Sequence, residues 1–454
     1  MKKTINRRAF IGAAATASAG MALRPESILA NGGHHSVNDV KPAILGGPKT
    51  LTGSFPGWPI YDHTEAKGLL DVLYSSQWGR LNGAVTSRFE EAHSKLYGVK
   101  HSLGVTSGTA ALYAMLGGLG IGPGDEVIIP VYTFIATYNV VALHYALPII
   151  VDMDPESFQV DPKKVEAAIT KNTKAIMPVH IGGSPCDLDA ILAIGKKHNI
   201  PVIEDACQAH LAEWKGKKVG SWGLGGGFSF QSSKNLNCGE GGAIITNDSD
   251  FYNACFAFHH QGQTSATAAI VATGAGVRGS NLRITEFQSN ILLSQMTRLE
   301  EQAKTRNENA LYLSSMLKEI PGLAPAKLYE GTTNGAYHLY MFRYDKESFS
   351  GMSRAQFIKA MNAEGYYPST GYGKMDKDPY ILGLADNHFY KKIYGEKEMK
   401  RWKERIDCPV NARVTEENAL WFMQTDMLGS KIQMEQIAEA AKKIQKYSAE
   451  IKNK

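Results

Sequence analysis

The chain has 454 residues, 43% hydrophobic and 20% charged, long enough for a large core and a smaller second lobe, since single cores stop growing near roughly 250 to 300 residues. Its formal charge is +5, but residues 1–30 carry Lys2, Lys3, Arg7, Arg8 and Arg24 against Glu26 alone, and the remainder holds 44 basic against 43 acidic side chains. That balance excludes an electrostatic case for a nucleic-acid partner, and five scattered cysteines with no CxxC pair argue against a disulfide framework or a cysteine metal site.

In chain order, the first feature is MKKTINRRAF followed by the uncharged run FIGAAATASAGMAL at 10–23. Paired arginines before a short apolar stretch predict a twin-arginine export signal over residues 1–30, hence a periplasmic protein, with a cytoplasmic one as the alternative. The run is too short for a stable membrane span, and no later stretch is apolar enough for one. Next, VTSGTAALYAML (105–116) sets a Ser-Gly-Thr turn at the start of an apolar helix, where backbone N–H groups favour an anion such as a phosphate, although such residues also cap helices with no ligand at all. From there short apolar runs alternate with amphipathic ones: EVIIP (126–130) as a strand, TFIATYNVVALHYA as a helix, LPIIVDMD as a strand, DPKKVEAAIT as a helix opened by Asp161 and Pro162, AIMPVHI as a strand, LDAILAIGKKHN as a helix and PVIEDA as a strand. This alternation predicts an α/β fold whose open, mostly parallel sheet is flanked by crossover helices. GGFSFQ and GGAIITND add two strands, residues 282–319 read as strongly helical, and NGAYHLYMFRYDKESF begins a smaller α+β lobe. The predicted layout is a large domain over 45–325 and a small C-terminal domain over 326–454, with the Gly/Pro-rich stretch 321–335 as hinge.

Ligands of open α/β sheets bind beyond the carboxyl ends of the strands, and three motifs fall there. PVIEDACQAH ends a strand in Asp205, with Gln208 three residues on, and a buried carboxylate needs a partner. FSFQSSKNLNCGEGG places Ser229 on a strand edge and Lys234 in the loop after it. Pyridoxal phosphate asks for an anion at its ring nitrogen, a lysine to capture its aldehyde and a cradle for its phosphate, which Asp205, Lys234 and the SGT turn would supply. Taken one at a time each motif has a plainer reading: Asp205 bound to an arginine, Gln208 capping a helix, GEGG as a hairpin turn.

The ordered set SGTAAL, GDEVIIPVYTFIAT, VIEDACQAH, FSFQSSKNL, GEGGAIITND and GSNLRITEFQS resembles the DegT/DnrJ/EryC1/StrS family of sugar aminotransferases, a branch of the fold-type-I pyridoxal-phosphate enzymes, from about residue 45 to the end. HLAEWKGKKVGS and CPVNARVTEENALWF look most like the glutamine:scyllo-inosose and 2-deoxy-scyllo-inosose aminotransferase subgroup. The resemblance implies Lys234 as the lysine joined to pyridoxal 5′-phosphate and as catalytic base, with Asp205 as the partner of the ring nitrogen. It further implies Gln208 facing the ring's 3-hydroxyl, Gly108, Thr109, Ala110 and Ser229 around the phosphate, and Phe134 stacked on the ring, although an aromatic in an apolar helix is more often core. Asn281 would reach a partner subunit's phosphate, making a homodimer with a shared site. The implied reaction moves an amino group from glutamine or glutamate to a keto-sugar or keto-cyclitol. A dehydratase on the same scaffold would carry histidine at Lys234, and a silent sugar-binding protein is the rival of another class. His180, His338, Tyr340 and Tyr372 are candidates for the acceptor pocket. Three departures from the family pattern stand out: Leu211 where glycine is usual, no acidic residue in GSWGLGGG (220–227), and NLR for NYR.

Overall fold

The computed structural model describes residues 40–263 and 278–454, so the proposed export signal lies outside the described residues. Residues 41–454 form one compact unit. Strands occur at His101–Val105 (β1), Glu126–Pro130 (β2), Leu147–Val151 (β3), Thr173–Ile176 (β4), Ile203–Asp205 (β5), Glu213–Trp214 (β6), Lys217–Lys218 (β7), Gly225–Ser229 (β8) and Gly242–Thr246 (β9). β3, β2 and β4 pair in parallel, and parallel bridges Ile176–Val202 and Val179–Asp205 carry the pairing to β5. β5 pairs in parallel with β8, and β8–β9 and β9–β1 are antiparallel. The order across the sheet is therefore β3-β2-β4-β5-β8-β9-β1, with β9 running against the other six. β2, β3, β8 and β9 are buried along their whole length, as strands covered on both faces should be.

The flanking helices follow their caps. Asp161 accepts from the Lys163 N–H ahead of Pro162 at the first helical position, and Asp187 accepts from the Ala190 N–H at the head of Leu188–His198. The long helix runs Glu286–Leu317 behind a capping box of Thr285 and Gln288. Several elements are shorter than the sequence predicts, two of them beside the site described below. The helix read from residue 133 begins only at Ala136, leaving Thr133 and Phe134 in the turn before it. The strand read through residue 181 ends at Ile176, beyond which the chain holds to β5 by the Val179–Asp205 bridge alone.

The stretch 321–335 is not a free linker. Leu323–Pro325 (β10) pairs with Leu339–Tyr344 (β12), which also pairs with Ala419–Met423 (β13), while Thr332–Asn334 (β11) pairs with β6. Each end of the stretch is thus stitched to a different sheet by backbone hydrogen bonds that no apolar periodicity announces. Two apolar clusters result. One fills both faces of the seven-stranded sheet and takes in Tyr390, Met399 and Trp402 from the C-terminal third. The other, around Leu313, Phe342, Phe357, Phe422 and Ile437, is covered in part by Leu45, Leu51 and Phe55 from the start of the described chain.

Leu211 has φ +62°, the left-handed region in which an L side chain meets its own carbonyl. That conformation accounts for the glycine usual at this position. Here it is held by a buried leucine whose N–H donates to the Tyr97 hydroxyl at 3.3 Å and whose carbonyl accepts from Asn334 Nδ2 at 2.8 Å.

Candidate active site

The parallel strands deliver their last residues to one end of the sheet, where a cavity of about 590 Å³ opens. β1 leads into Ser107 and Gly108, β2 into Thr133, Phe134 and Thr137, β5 ends in Asp205, and β8 ends in Ser229 five residues before Lys234. Of the residues singled out from the sequence, Gly108, Thr109, Phe134, Asp205, Gln208, Ser229 and Lys234 all line this cavity. Ala110 and Asn281 do not. Ala110 is buried one residue behind the turn, and its N–H is taken by Ser107 Oγ at 3.0 Å, so Ser107 caps the helix as well as lining the cavity. Asn281 is exposed on the bridge to His260.

Asp205 is 4% exposed. Its Oδ2 accepts from the Thr137 hydroxyl at 2.9 Å and its Oδ1 from the Cys207 N–H at 3.1 Å. Among the described residues no cation stands within ion-pair distance of it, which disposes of the arginine-bound alternative. A buried carboxylate with two neutral donors and a face on an open cavity is stable only if a positive group can come to it. Because the Thr137 proton is committed to Asp205, the 2.8 Å contact between Thr133 Oγ1 and Thr137 Oγ1 runs with Thr133 as donor, and a two-hydroxyl relay leads to the carboxylate.

At the opposite side the helix Gly108–Gly118 begins with the N–H groups of Gly108 and Thr109, which have no intrahelical acceptor. The Ser229 side chain stands against this turn, since a Cβ placed on Gly108 would lie 2.6 Å from Ser229 Cβ and 2.9 Å from Cys207 Sγ. Only glycine lets the turn come so close. The helix dipole adds partial positive charge here, so this corner fits an anion. Phe134 is 56% exposed on the cavity wall and takes no part in the core, contrary to the plainer reading of an aromatic in this segment.

Lys234 lies between these two poles, partly buried. Burial pushes its amine below the usual lysine range, opposed by the nearby Cys207 thiol and Asp205 carboxylate. Its Nζ is 3.3 Å from His338 Nε2. Burial, reinforced by Lys234, His210 and Arg306, holds the His338 imidazole well below the usual histidine range, so it is neutral.

Gln208 does not cap a helix. Its Oε1 accepts from the Gly182 N–H at 2.8 Å and its Nε2 donates to the Tyr372 hydroxyl at 2.7 Å. Gly183, with φ +87°, brings the 336–338 segment against this loop, because a Cβ there would meet Gln208 O at 2.6 Å and His338 N at 3.0 Å. Of the four acceptor-pocket candidates, His338 and Tyr372 line the cavity. His180 is buried behind it, its Nε2 3.0 Å from Glu204 Oε2, and Tyr340 packs in the second cluster with its hydroxyl on Ser314 Oγ. Burial alone would raise the Glu204 carboxyl, yet His180 and the N–H groups of Gly223 and Gly220 hold it below its usual range. Both are structural. Thr137, Thr133, Trp421 and Met423 were not singled out from the sequence and belong to the lining. For Thr137 a signal existed in the helix read from the sequence, where it falls three residues after Phe134 and on the same face.

The lining therefore sets an anion corner at Gly108 and Thr109, a buried carboxylate at Asp205, and the Lys234 amine in one cavity.

A model of the DegT/DnrJ/EryC1/StrS aminotransferase family matches residues 59–389. The chain is 35% identical over 428 residues to the L-glutamine:2-deoxy-scyllo-inosose aminotransferase of Streptoalloteichus tenebrarius, covering 90% of this chain and 99% of that one. It is 37% identical over 291 residues to the 3-amino-5-hydroxybenzoate synthase of Amycolatopsis mediterranei, covering 64% and 74%. The crystal structure of a 3-amino-5-hydroxybenzoic acid synthase superposes with a TM-score of 0.74 at 30% identity, over 86% of this chain and 98% of that one.

Proposed function

The chain belongs to the DegT/DnrJ/EryC1/StrS aminotransferase family, and from that premise we propose that it uses pyridoxal 5′-phosphate to move an amino group from glutamine or glutamate to a free keto-cyclitol or keto-sugar. The observation that carries the reading is the buried Asp205 carboxylate, with no cation among the described residues at ion-pair distance, sharing one cavity with the Lys234 amine, whose proton affinity burial lowers. Pyridoxal phosphate, when bound, supplies the carbonyl that condenses with amines and the protonated ring that draws electrons from the donor's Cα.

The chain's own residues do the rest. Asp205, steadied by Thr137 and the Cys207 N–H, holds a proton on the ring nitrogen. The Gly108 and Thr109 N–H groups and the Ser229 hydroxyl would hold the phosphate, and Phe134 would cover the ring. Gln208, fixed through Gly182 and Tyr372, would face the ring's 3-hydroxyl. Lys234 would be the residue that joins the cofactor, and its amine, when free, would take the proton from the donor's Cα, work typically worth about 10²- to 10⁴-fold in rate. Its lowered proton affinity keeps more of it as free base at neutral pH.

The acceptor class is supported by the 2-deoxy-scyllo-inosose in the name of the Streptoalloteichus tenebrarius relative and by a wall of Tyr372, Trp421 and Met423 on which, among the described residues, no cation stands for a nucleotide diphosphate. We further propose a homodimer in which Asn281, exposed and outside the lining of its own cavity, reaches the partner's phosphate corner, and export of the folded protein by the twin-arginine route. Among the described residues no helix is long and apolar enough to cross a membrane.

The test is spectroscopic. Purified protein should be yellow, glutamine should bleach the visible band, and scyllo-inosose should restore it. A colourless protein, or colour that persists unchanged in Lys234→Ala, would defeat the reading.

A further inference from the structure

Lys234 and Asn235 are neighbours in sequence, and both reach the same imidazole. Asn235 Nδ2 donates to the Ala336 carbonyl at 2.7 Å, which turns its Oδ1 toward His338 Nδ1 at 3.3 Å. An amide oxygen can only accept, so Nδ1 carries the proton. In a neutral imidazole the other nitrogen is then a bare acceptor, and it is this Nε2 that stands 3.3 Å from Lys234 Nζ.

We propose that His338, locked in the Nδ1–H tautomer by Asn235, is a positioning residue for Lys234. It takes one N–H of the amine, so the lone pair of the free base cannot face the imidazole and is turned to the cavity, where the donor's Cα would stand. The inference rests on the reading of Lys234 as the reacting amine.

The holder is rigid. Asn334 Nδ2 donates to the Leu211 carbonyl, the Gly335 N–H to Asn307 Oδ1 and the Ala336 N–H to the Gly183 carbonyl, at 2.8, 3.1 and 2.9 Å. His338 is therefore carried to Lys234 by a segment pinned to three separate parts of the large cluster's scaffold. Among the described residues, the titratable and charged groups facing Lys234 are Asp205, Cys207, His338 and His210, and those facing His338 are Lys234, His210 and Arg306. His210 is itself kept neutral by burial, so nothing around His338 favours an imidazolium, and its acceptor role persists across the neutral range.

A histidine there for packing alone would leave the proton affinity of Lys234 untouched. An acceptor of the ammonium's N–H stabilises the charged form, and its loss lowers the midpoint of Lys234 by about one pH unit or more. The measurement is competitive acetylation with trace acetic anhydride across pH 6–11, on the full chain freed of cofactor by hydroxylamine and dialysis, with Lys234 read by peptide mass spectrometry. His338→Phe should move the midpoint down by about one unit. His338→Gln, whose amide oxygen can accept, should restore most of it, and Asn235→Asp, which keeps an acceptor on Nδ1–H, should hold or raise it. A wild-type midpoint in His338→Phe overturns the proposal, as does equal lowering in His338→Phe and a folded His338→Gln. Circular dichroism identifies any variant that fails to fold, and His338→Asn then replaces it with the same expectation as His338→Gln. Failure of the transaminase reading would appear separately, as absent colour and no response to glutamine, without altering this titration.

Discussion

The hydroxyl of Thr137 donates to Asp205 Oδ2 at 2.9 Å across 68 residues of sequence, and it is one of two neutral donors that keep this carboxylate in place. Thr137→Val keeps the shape and deletes the donor. A hydrogen bond to a charged group contributes about 1.5–3 kcal/mol, so affinity for pyridoxal phosphate should weaken by roughly 10- to 100-fold, measured by fluorescence titration. Asp205→Asn should weaken it further and slow the bleaching by glutamine. Unchanged affinity in Thr137→Val would show that Cys207 N–H alone suffices.

Lys234 is held below the usual lysine range, chiefly by burial. The unfolded chain binds a proton there up to about pH 10.4, whereas the folded chain releases it earlier, so between the two midpoints the unfolded state holds more protons and stability rises with pH. Below the folded midpoint the penalty is complete. Lys234→Met, which removes the charge and keeps the stem, should therefore raise the melting temperature of the cofactor-free chain at pH 7, with the gain shrinking toward pH 10. Calorimetry at the two pH values checks the sign, and a lower melting temperature at pH 7 would contradict it.

Leu211 sets two effects against each other. Its left-handed backbone costs roughly 1–2 kcal/mol, while truncating a buried leucine costs roughly 2–5 kcal/mol, and Leu211 is 4% exposed. Burial wins. Leu211→Gly should destabilise the chain by about 1–3 kcal/mol in urea unfolding despite restoring the residue usual in the family. A stabilised variant would mean that the strain exceeds the packing.

Buried histidines should make the fold acid-sensitive, with His93 and His259 adding to His210 and His338. His93 and His259 are both pushed down to about 3, mainly by burial, against about 6.5 in the unfolded chain. Each contribution is complete above pH 6.5 and is lost as pH falls toward 3, because there the unfolded chain takes up protons that the native one refuses. Urea midpoints should fall steadily from pH 6.5 to 4, and His93→Gln should reduce the slope. A flat profile would refute the assignment.

Much of this was legible in the chain itself. The apolar runs placed every strand of the large sheet from β2 onward, Asp161 and Pro162 marked a helix start, and Asp205 and Lys234 were found because a carboxylate and an amine at strand ends demand a reason to be there. The Thr133–Phe134 turn was read as helix because its residues suit either state. The β6–β11 and β10–β12 pairings were invisible because short strands in a Gly/Pro-rich stretch carry no periodicity.

Residue types, their order and their local periodicity thus determined the sheet and its helices, which depend on neighbours within a few positions, and marked an acid and an amine at strand ends as candidates for one site. Folding alone decided that Thr137 meets Asp205, that Tyr372 meets Gln208 from 164 residues away, and that His338 meets Lys234 from 104. A hydrophobic pattern reports which face of an element turns inward, but the partner of a polar atom depends on which distant segments the packed core brings alongside it.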